Sequence, residues 1–210
     1  GPAGLTLALK LEEKKFNVAV IEAGERYYSE ESQNYYKGEV TKEFPRPMDV
    51  TRLRMFGGTM GHWGGTCRPL DEYDFDKWPI SKKDLDPYLN EATKFLEINN
   101  SFREETMSDY LKLIEFQLSE ARYGDKYYEN IEKSKYIKLF LNCPMINFEG
   151  DNYKISKVNI FSEKKNNQIT LKGKVFVLAA GGIENSRILL LEQNKNKKLF
   201  NQEMPIGNYW

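Results

Sequence analysis

Histidine, cysteine and any excess of charge are what this chain of 210 residues has least of. One histidine, His62, and two well-separated cysteines, Cys67 and Cys143, exclude a zinc cage built from the common Cys/His ligand sets. No Cys-x-x-Cys is present, so both thiols read as ordinary side chains. Lysine and arginine number 31, and so do aspartate and glutamate, which leaves no net field to draw in nucleic acid or an anionic membrane. No apolar run approaches the roughly 20 residues that span a bilayer, and no charged-then-apolar leader opens the sequence. Compartment does not follow from that. Aromatic residues at 13% and apolar residues at 40% argue against disorder and for a chain able to bury a core.

The sequence begins at Gly1 inside a glycine motif and stops at Gly207-Asn208-Tyr209-Trp210, so an internal piece of a longer protein is expected. From Gly4, the apolar positions Leu5, Ala8, Leu9 and Leu11 predict a short amphipathic helix, and Val18 to Ile21 predicts a strand buried on both faces, as in a parallel sheet. Arg26 to Arg54 is polar and tyrosine-rich and carries Pro45 and Pro47; a surface excursion with little regular structure is expected. Ser81 with Asp84 reads as a capping-box variant, and Pro87 can open a second helical piece carrying Tyr88, Ala92, Phe95 and Leu96. A further helix is expected within Arg103 to Gly124, on Met107, Tyr110, Leu111, Ile114, Leu118 and Ala121. The pattern then changes to a strand at Tyr136 to Leu141 and a hairpin of Val158–Phe161 with Gln168–Leu171. A second buried strand, Val175 to Ala180, leads through Gly181-Gly182 into a leucine-rich helix, and the segment Asn194 to Lys198 is a short lysine and asparagine run.

Gly1-Pro2-Ala3-Gly4 is the second half of a possible G-x-G-x-x-G turn, in which small residues let a pyrophosphate approach the N–H groups of a helix N-terminus. Glu22 ends the strand that follows, about 20 residues beyond the turn, where a carboxylate can accept hydrogen bonds from an adenosine ribose; a solvated strand end is its plainer reading. The densest tract runs from Arg54 through Gly57-Gly58-Thr59-Met60-Gly61-His62-Trp63-Gly64-Gly65. Glycines at that density let backbone come within contact of a flat ligand and offer it N–H groups that larger residues would shield.

With the Trp78-Pro79-Ile80-Ser81 to Tyr88 stretch, this tract resembles the flavin loop of the glucose-methanol-choline oxidoreductase family. Val177-Leu178-Ala179-Ala180-Gly181-Gly182-Ile183-Glu184-Asn185-Ser186-Arg187 is similar to the strand, glycine pair and helix by which that family returns to its nucleotide-binding sheet. The spelling His62-Trp63 and Cys67-Arg68-Pro69-Leu70-Asp71 looks closest to bacterial sugar or polyol dehydrogenase-like members. The resemblance implies FAD held by Gly1, Gly4, Glu22, Gly57, Gly58, Thr59, His62, Trp63, Gly64, Gly65, Ala180 and Gly181. Some family members attach FAD covalently through a histidine four positions after the loop's second glycine, the place of His62; a non-covalent flavin contact and a packed loop histidine are the other readings. Met145 falls near an apolar residue that the family places on the adenine, or is a core methionine.

The expected fold is α/β, with a Rossmann-like FAD-binding domain split in sequence. Residues 1–24 and 175–193 supply the Rossmann parts, 50–135 the flavin loop and a helical region, and 136–174 a strand and hairpin beside a partial substrate-facing region. The resemblance implies an oxidoreductase that takes hydride from the CH-OH group of an alcohol or sugar onto FAD and passes electrons to oxygen, a quinone or a cytochrome. The family's proton-accepting histidine lies in a C-terminal catalytic domain expected beyond Trp210, so no catalytic residue is assigned here. Two rivals stand: another two-dinucleotide flavoprotein, such as a pyridine nucleotide-dependent reductase or monooxygenase, and a non-catalytic nucleotide-binding protein of the same fold.

Overall fold

A helix that opens on Pro2 begins the chain in the computed structural model, which describes residues 1–40, 46–197, 199–200 and 203–208. Pro45, Lys198, Tyr209 and Trp210, named above, lie outside those residues. In order the elements are α1 (Pro2–Glu13), β1 (Val18–Ile21), α2 (Glu30–Gln33), α3 (Met48–Thr51), β2 (Thr66–Cys67), α4 (Lys82–Leu85) and α5 (Leu89–Leu96). Next come β3 (Glu104–Ser108), β4 (Leu111–Ile114), β5 (Gln117–Leu118), α6 (Tyr123–Glu132) and β6 (Ile137–Phe140). The chain continues with β7 (Met145–Asp151), β8 (Lys154–Ser162), β9 (Asn167–Lys172) and α7 (Gly182–Lys195). The result is a mixed α/β chain with small sheets, and it divides into two units, Gly1–His62 with Tyr123–Trp210, and Trp63–Arg122.

In the first unit, proline at the first helical position of α1 gives up an N–H that would have had no partner, and Leu5 and Ala8 bury one face. β1 pairs in parallel with β6, Val18 opposite Ile137 and Ile21 opposite Phe140, so the long stretch between them acts as a crossover. α6 packs against β6 and α1, and its Tyr128 stands edge-on to Phe56 at 5.6 Å. β7, β8 and β9 form an antiparallel meander. Phe148, Val158 and Ile160 on it make a core with Cys143 and with Ile188 of α7, against which Met145, Phe176 and Leu178 also pack. Met145 is half-buried there.

The second unit is built from local devices. β2 pairs antiparallel with β5, β3 with β4, and both Asp71/Asp74 and Ser81/Asp84 form capping boxes. Phe75 is its chief buried aromatic, edge-on to Trp78 at 5.7 Å.

Four sequence expectations are corrected. Residues 104–118 form strands rather than a helix: β3 and β4 close at Asp109-Tyr110, and the apolar side chains that mimicked a helical stripe are exposed, Tyr110 by 98%. Val175 to Ala180 forms no strand, because no described strand lies alongside to give it a ladder; Phe176 and Leu178 face the core while Val175 and Val177 stay exposed. β1 is not buried on both faces: α1 packs on it, yet Ala19 is exposed, and β6 is the one described strand paired with it. Finally, the 26–54 excursion holds α2, α3 and a 3-10 turn at Asn34–Tyr36. It is not confined to the surface, for Ser32, Gln33 and Arg54 are buried.

Candidate functional site

Three stretches distant in sequence meet in the first unit. A Cβ placed on Gly58 would stand 3.1 Å from the Cα of Gly1, and one on Gly4 would stand 3.2 Å from the Ala179 Cβ. The opening turn, the loop glycines and the run into α7 are therefore neighbours. Gly57 shows why the loop needs glycine: its φ is +89°, and a Cβ there would lie 2.6 Å from the Gly124 nitrogen at the start of α6. Gly24, just after β1, is held by close approach alone: a Cβ there would fall 2.1 Å from the Arg54 carbonyl oxygen. Neither Gly24 nor Gly124 stood out in the sequence as a site residue. The only signal for Gly24 was its place directly after Glu22-Ala23.

Glu22 follows β1, and one carboxylate oxygen accepts a 2.8 Å hydrogen bond from the Gly24 N–H. Its surface is partly open, yet surrounding protein is dense enough that burial pushes its carboxyl above the ordinary value, against the pull of the Gly24 N–H and the Arg54 guanidinium. Thr59 is exposed, and its hydroxyl accepts from the Leu53 N–H at 3.3 Å. His62 is exposed as well; its backbone N–H donates to the Thr59 carbonyl, and its imidazole makes no hydrogen bond among the described residues.

Ala180 and Gly181 precede α7 under the control of Asn185, which the sequence places in the motif and not among the site residues. The Asn185 side chain accepts from the Ala180 N–H at 3.0 Å and donates to the Leu178 carbonyl at 3.3 Å. Gly181 has φ +87° with nothing within 4 Å of a Cβ built on it, so backbone faces open space there. Glu184, in the first turn of α7, pairs with Arg52 at 2.8 Å and with Arg187 at 2.8 Å. Burial works against its charge, but those two guanidinium groups hold its carboxyl below the ordinary value.

Trp63, Gly64 and Gly65 belong to the second unit. The Trp63 indole donates to the Ala121 carbonyl at 3.1 Å, the role of a packing residue. Gly64 has open space at its Cβ position, whereas a Cβ on Gly65 would sit 2.2 Å from the Ser119 carbonyl oxygen.

No protein-family model matches the chain, and no curated protein matches it. The case for a site therefore rests on the residues. Two surface hollows, about 810 Å3 beside Asn99, Phe116 and Gln117 and about 720 Å3 beside Asn147, Gly150 and Lys157, touch none of the glycines just described. No group of three or more His, Cys, Asp or Glu side chains that could hold a metal ion occurs among the described residues. No helix among them is long and apolar enough to cross a membrane.

Proposed function

We propose that this chain is the FAD-binding portion of an oxidoreductase that removes hydride from the CH-OH group of an alcohol or sugar, on a Rossmann-like frame of the glucose-methanol-choline type. The observation that carries the reading is the meeting of Gly1, Gly4, Gly58 and Ala179 in one unit, with Glu22 directly after β1. Bare backbone at a helix N-terminus suits a pyrophosphate, and a carboxylate at the end of β1 suits a ribose. The open face at Gly181 leaves further backbone accessible to a ligand.

FAD, when bound, would supply the two-electron acceptor. The chain's own part is to bind and orient. The α1 N-terminus and Gly4 would take the pyrophosphate, Glu22 would accept from the ribose hydroxyls, and Gly57, Gly58 and Thr59 would flank the flavin with His62. We assign no proton-transferring residue here. The sole imidazole belongs to the flavin loop, so the base for the substrate hydroxyl is proposed to lie in a further domain. Substrate would be a small alcohol or sugar, and the final acceptor oxygen, a quinone or a cytochrome.

The test is the visible spectrum of the purified full-length protein before and after acid precipitation, followed by anaerobic addition of alcohols and sugars. A flavin band that bleaches with one of these donors is the expected result. Colour in the pellet would assign covalent attachment, and a yellow supernatant non-covalent binding. Bleaching by a pyridine nucleotide instead would favour the reductase or monooxygenase reading. A protein that neither carries nor takes up flavin would leave the non-catalytic one.

A further inference from the structure

Three consecutive residues that run into the glycine loop, Arg52, Leu53 and Arg54, touch three sides of the candidate site. The Arg54 carbonyl occupies the place a Gly24 side chain would take just after β1, 2.1 Å from a Cβ built there. The Leu53 N–H donates to the Thr59 hydroxyl of the loop at 3.3 Å. The Arg52 guanidinium reaches the first turn of α7, where it meets the Glu184 carboxylate at 2.8 Å, and the two side chains are only 16% and 12% exposed. This ion pair joins residues 132 positions apart in the chain.

Arg52 has little freedom of its own. Its Nε donates to the Met48 carbonyl at 3.3 Å, its guanidinium carbon lies 4.0 Å from the centre of the Tyr36 ring, and its backbone carbonyl accepts from the Gln33 side chain at 2.5 Å. A planar cation gripped in this way places the carboxylate it pairs with. Glu184 stands beside Asn185, whose side chain accepts from the Ala180 N–H at 3.0 Å and donates to the Leu178 carbonyl at 3.3 Å. The bare backbone at Gly181 is therefore held by two adjacent side chains. Asn185 ties it to the run that enters α7, and Glu184 ties α7 across to the stretch that holds Thr59. Arg187, the other partner of Glu184, is 57% exposed and lies three residues along the same helix, so that pair anchors α7 to nothing outside itself.

We propose that Arg52 is a positioning residue which, acting through Glu184, fixes the 57–61 loop and the Gly181 end of α7 relative to each other so that both engage one ligand. The inference rests on the FAD reading and adds to it a residue that touches no cofactor and belongs to neither glycine motif. FAD is titrated by flavin fluorescence into stripped full-length protein carrying His62→Ala, which keeps any flavin non-covalent. The same titration is made with Arg52→Gln, Glu184→Gln, both together, or Arg187→Gln added, each at a temperature where its ligand-free melt shows it folded. The expected result is an affinity about tenfold weaker for Arg52→Gln and for Glu184→Gln and no weaker for the two combined, the non-additivity of residues that act as one unit, with Arg187→Gln unchanged. Should Arg52→Gln not fold, Arg52→Lys takes its place in the cycle, with a smaller loss and the same non-additive pattern expected. Full affinity in the folded variants would leave the ion pair a stabilising contact alone and overturn the inference. Losses that add, or a matching loss in Arg187→Gln, would overturn it as well, and in each of these cases the flavin reading stands. Full-length protein that takes up no flavin, with His62 present or replaced, overturns both.

Discussion

The glycine cluster of the first unit and the β3–β4 hairpin of the second spend their residues in opposite ways. In the cluster, side chains are removed so that backbones approach: Gly24 admits the Arg54 carbonyl, and Gly57 admits the Gly124 nitrogen. In the hairpin, side chains are retained with little to cover them, and every residue of Glu104–Ser108 and Leu111–Ile114 is exposed. A two-stranded hairpin without a covered face is marginal in water. Close backbone contact leaves a position intolerant of change, whereas exposure leaves it tolerant, so substitutions in the two regions should differ sharply in effect.

The largest effect should come from Gly24→Val. A side chain there has to displace the Arg54 backbone, and we expect a loss on the order of 4 kcal/mol, among the severe single-residue costs, read as a collapse of the urea unfolding midpoint. Ile160→Ala comes next. Ile160 is fully buried in the meander core, and truncation should cost about 2–4 kcal/mol. Leu113→Ala in β4, exposed by 49%, should shift stability by no more than about 0.5 kcal/mol. A cost for Leu113→Ala approaching that of Ile160→Ala would break the comparison. Amide hydrogen exchange sharpens it: the β8 amides of 158–160 should exchange far more slowly than those of 111–114.

A smaller effect separates two carboxyls of the first unit by sign. The folded-state pKa of Glu22 is raised, chiefly by burial, so its contribution is fully present below the ordinary carboxylate range and is lost as pH rises through the raised value. Glu22→Gln should therefore raise the melting temperature of the ligand-free protein at neutral pH, and the gain should vanish in acid. Glu184 is depressed by Arg187 and Arg52 despite its burial, so its contribution is present above the ordinary range and disappears as pH falls through the depressed value. Glu184→Gln should accordingly lower the melting temperature at neutral pH and converge with the parent in acid. Melting curves across the acid range decide both, and matching signs for the two variants would contradict the assignment.

Local grammar was legible where a single element set its own pattern. Leu5 and Ala8 announce α1, the alternation on either side of 164–167 announces β8–β9, and Ser81 with Asp84 announces its cap. Legibility failed at 104–118, where Met107, Leu111, Ile114 and Leu118 fall at helical spacing by coincidence; a turn at Asp109-Tyr110 splits the run, and exposure removes the link between apolar character and burial. It failed at Val175–Ala180 for a different reason: a ladder depends on a neighbour, which a strand's own residues do not encode. At the candidate site, the motif glycines could be named from sequence, but their neighbours could not. Gly124 and Arg52 reach the site through contacts between segments far apart in the chain.

The most direct measurement is the identity and stoichiometry of the nucleotide held by the purified full-length protein, obtained by proteolytic digestion and mass analysis so that free and peptide-linked flavin are both counted. The account predicts one FAD per chain, either free or carried on the peptide containing His62. Protein that remains without flavin after incubation with excess FAD, or that holds FMN in its place, would contradict it.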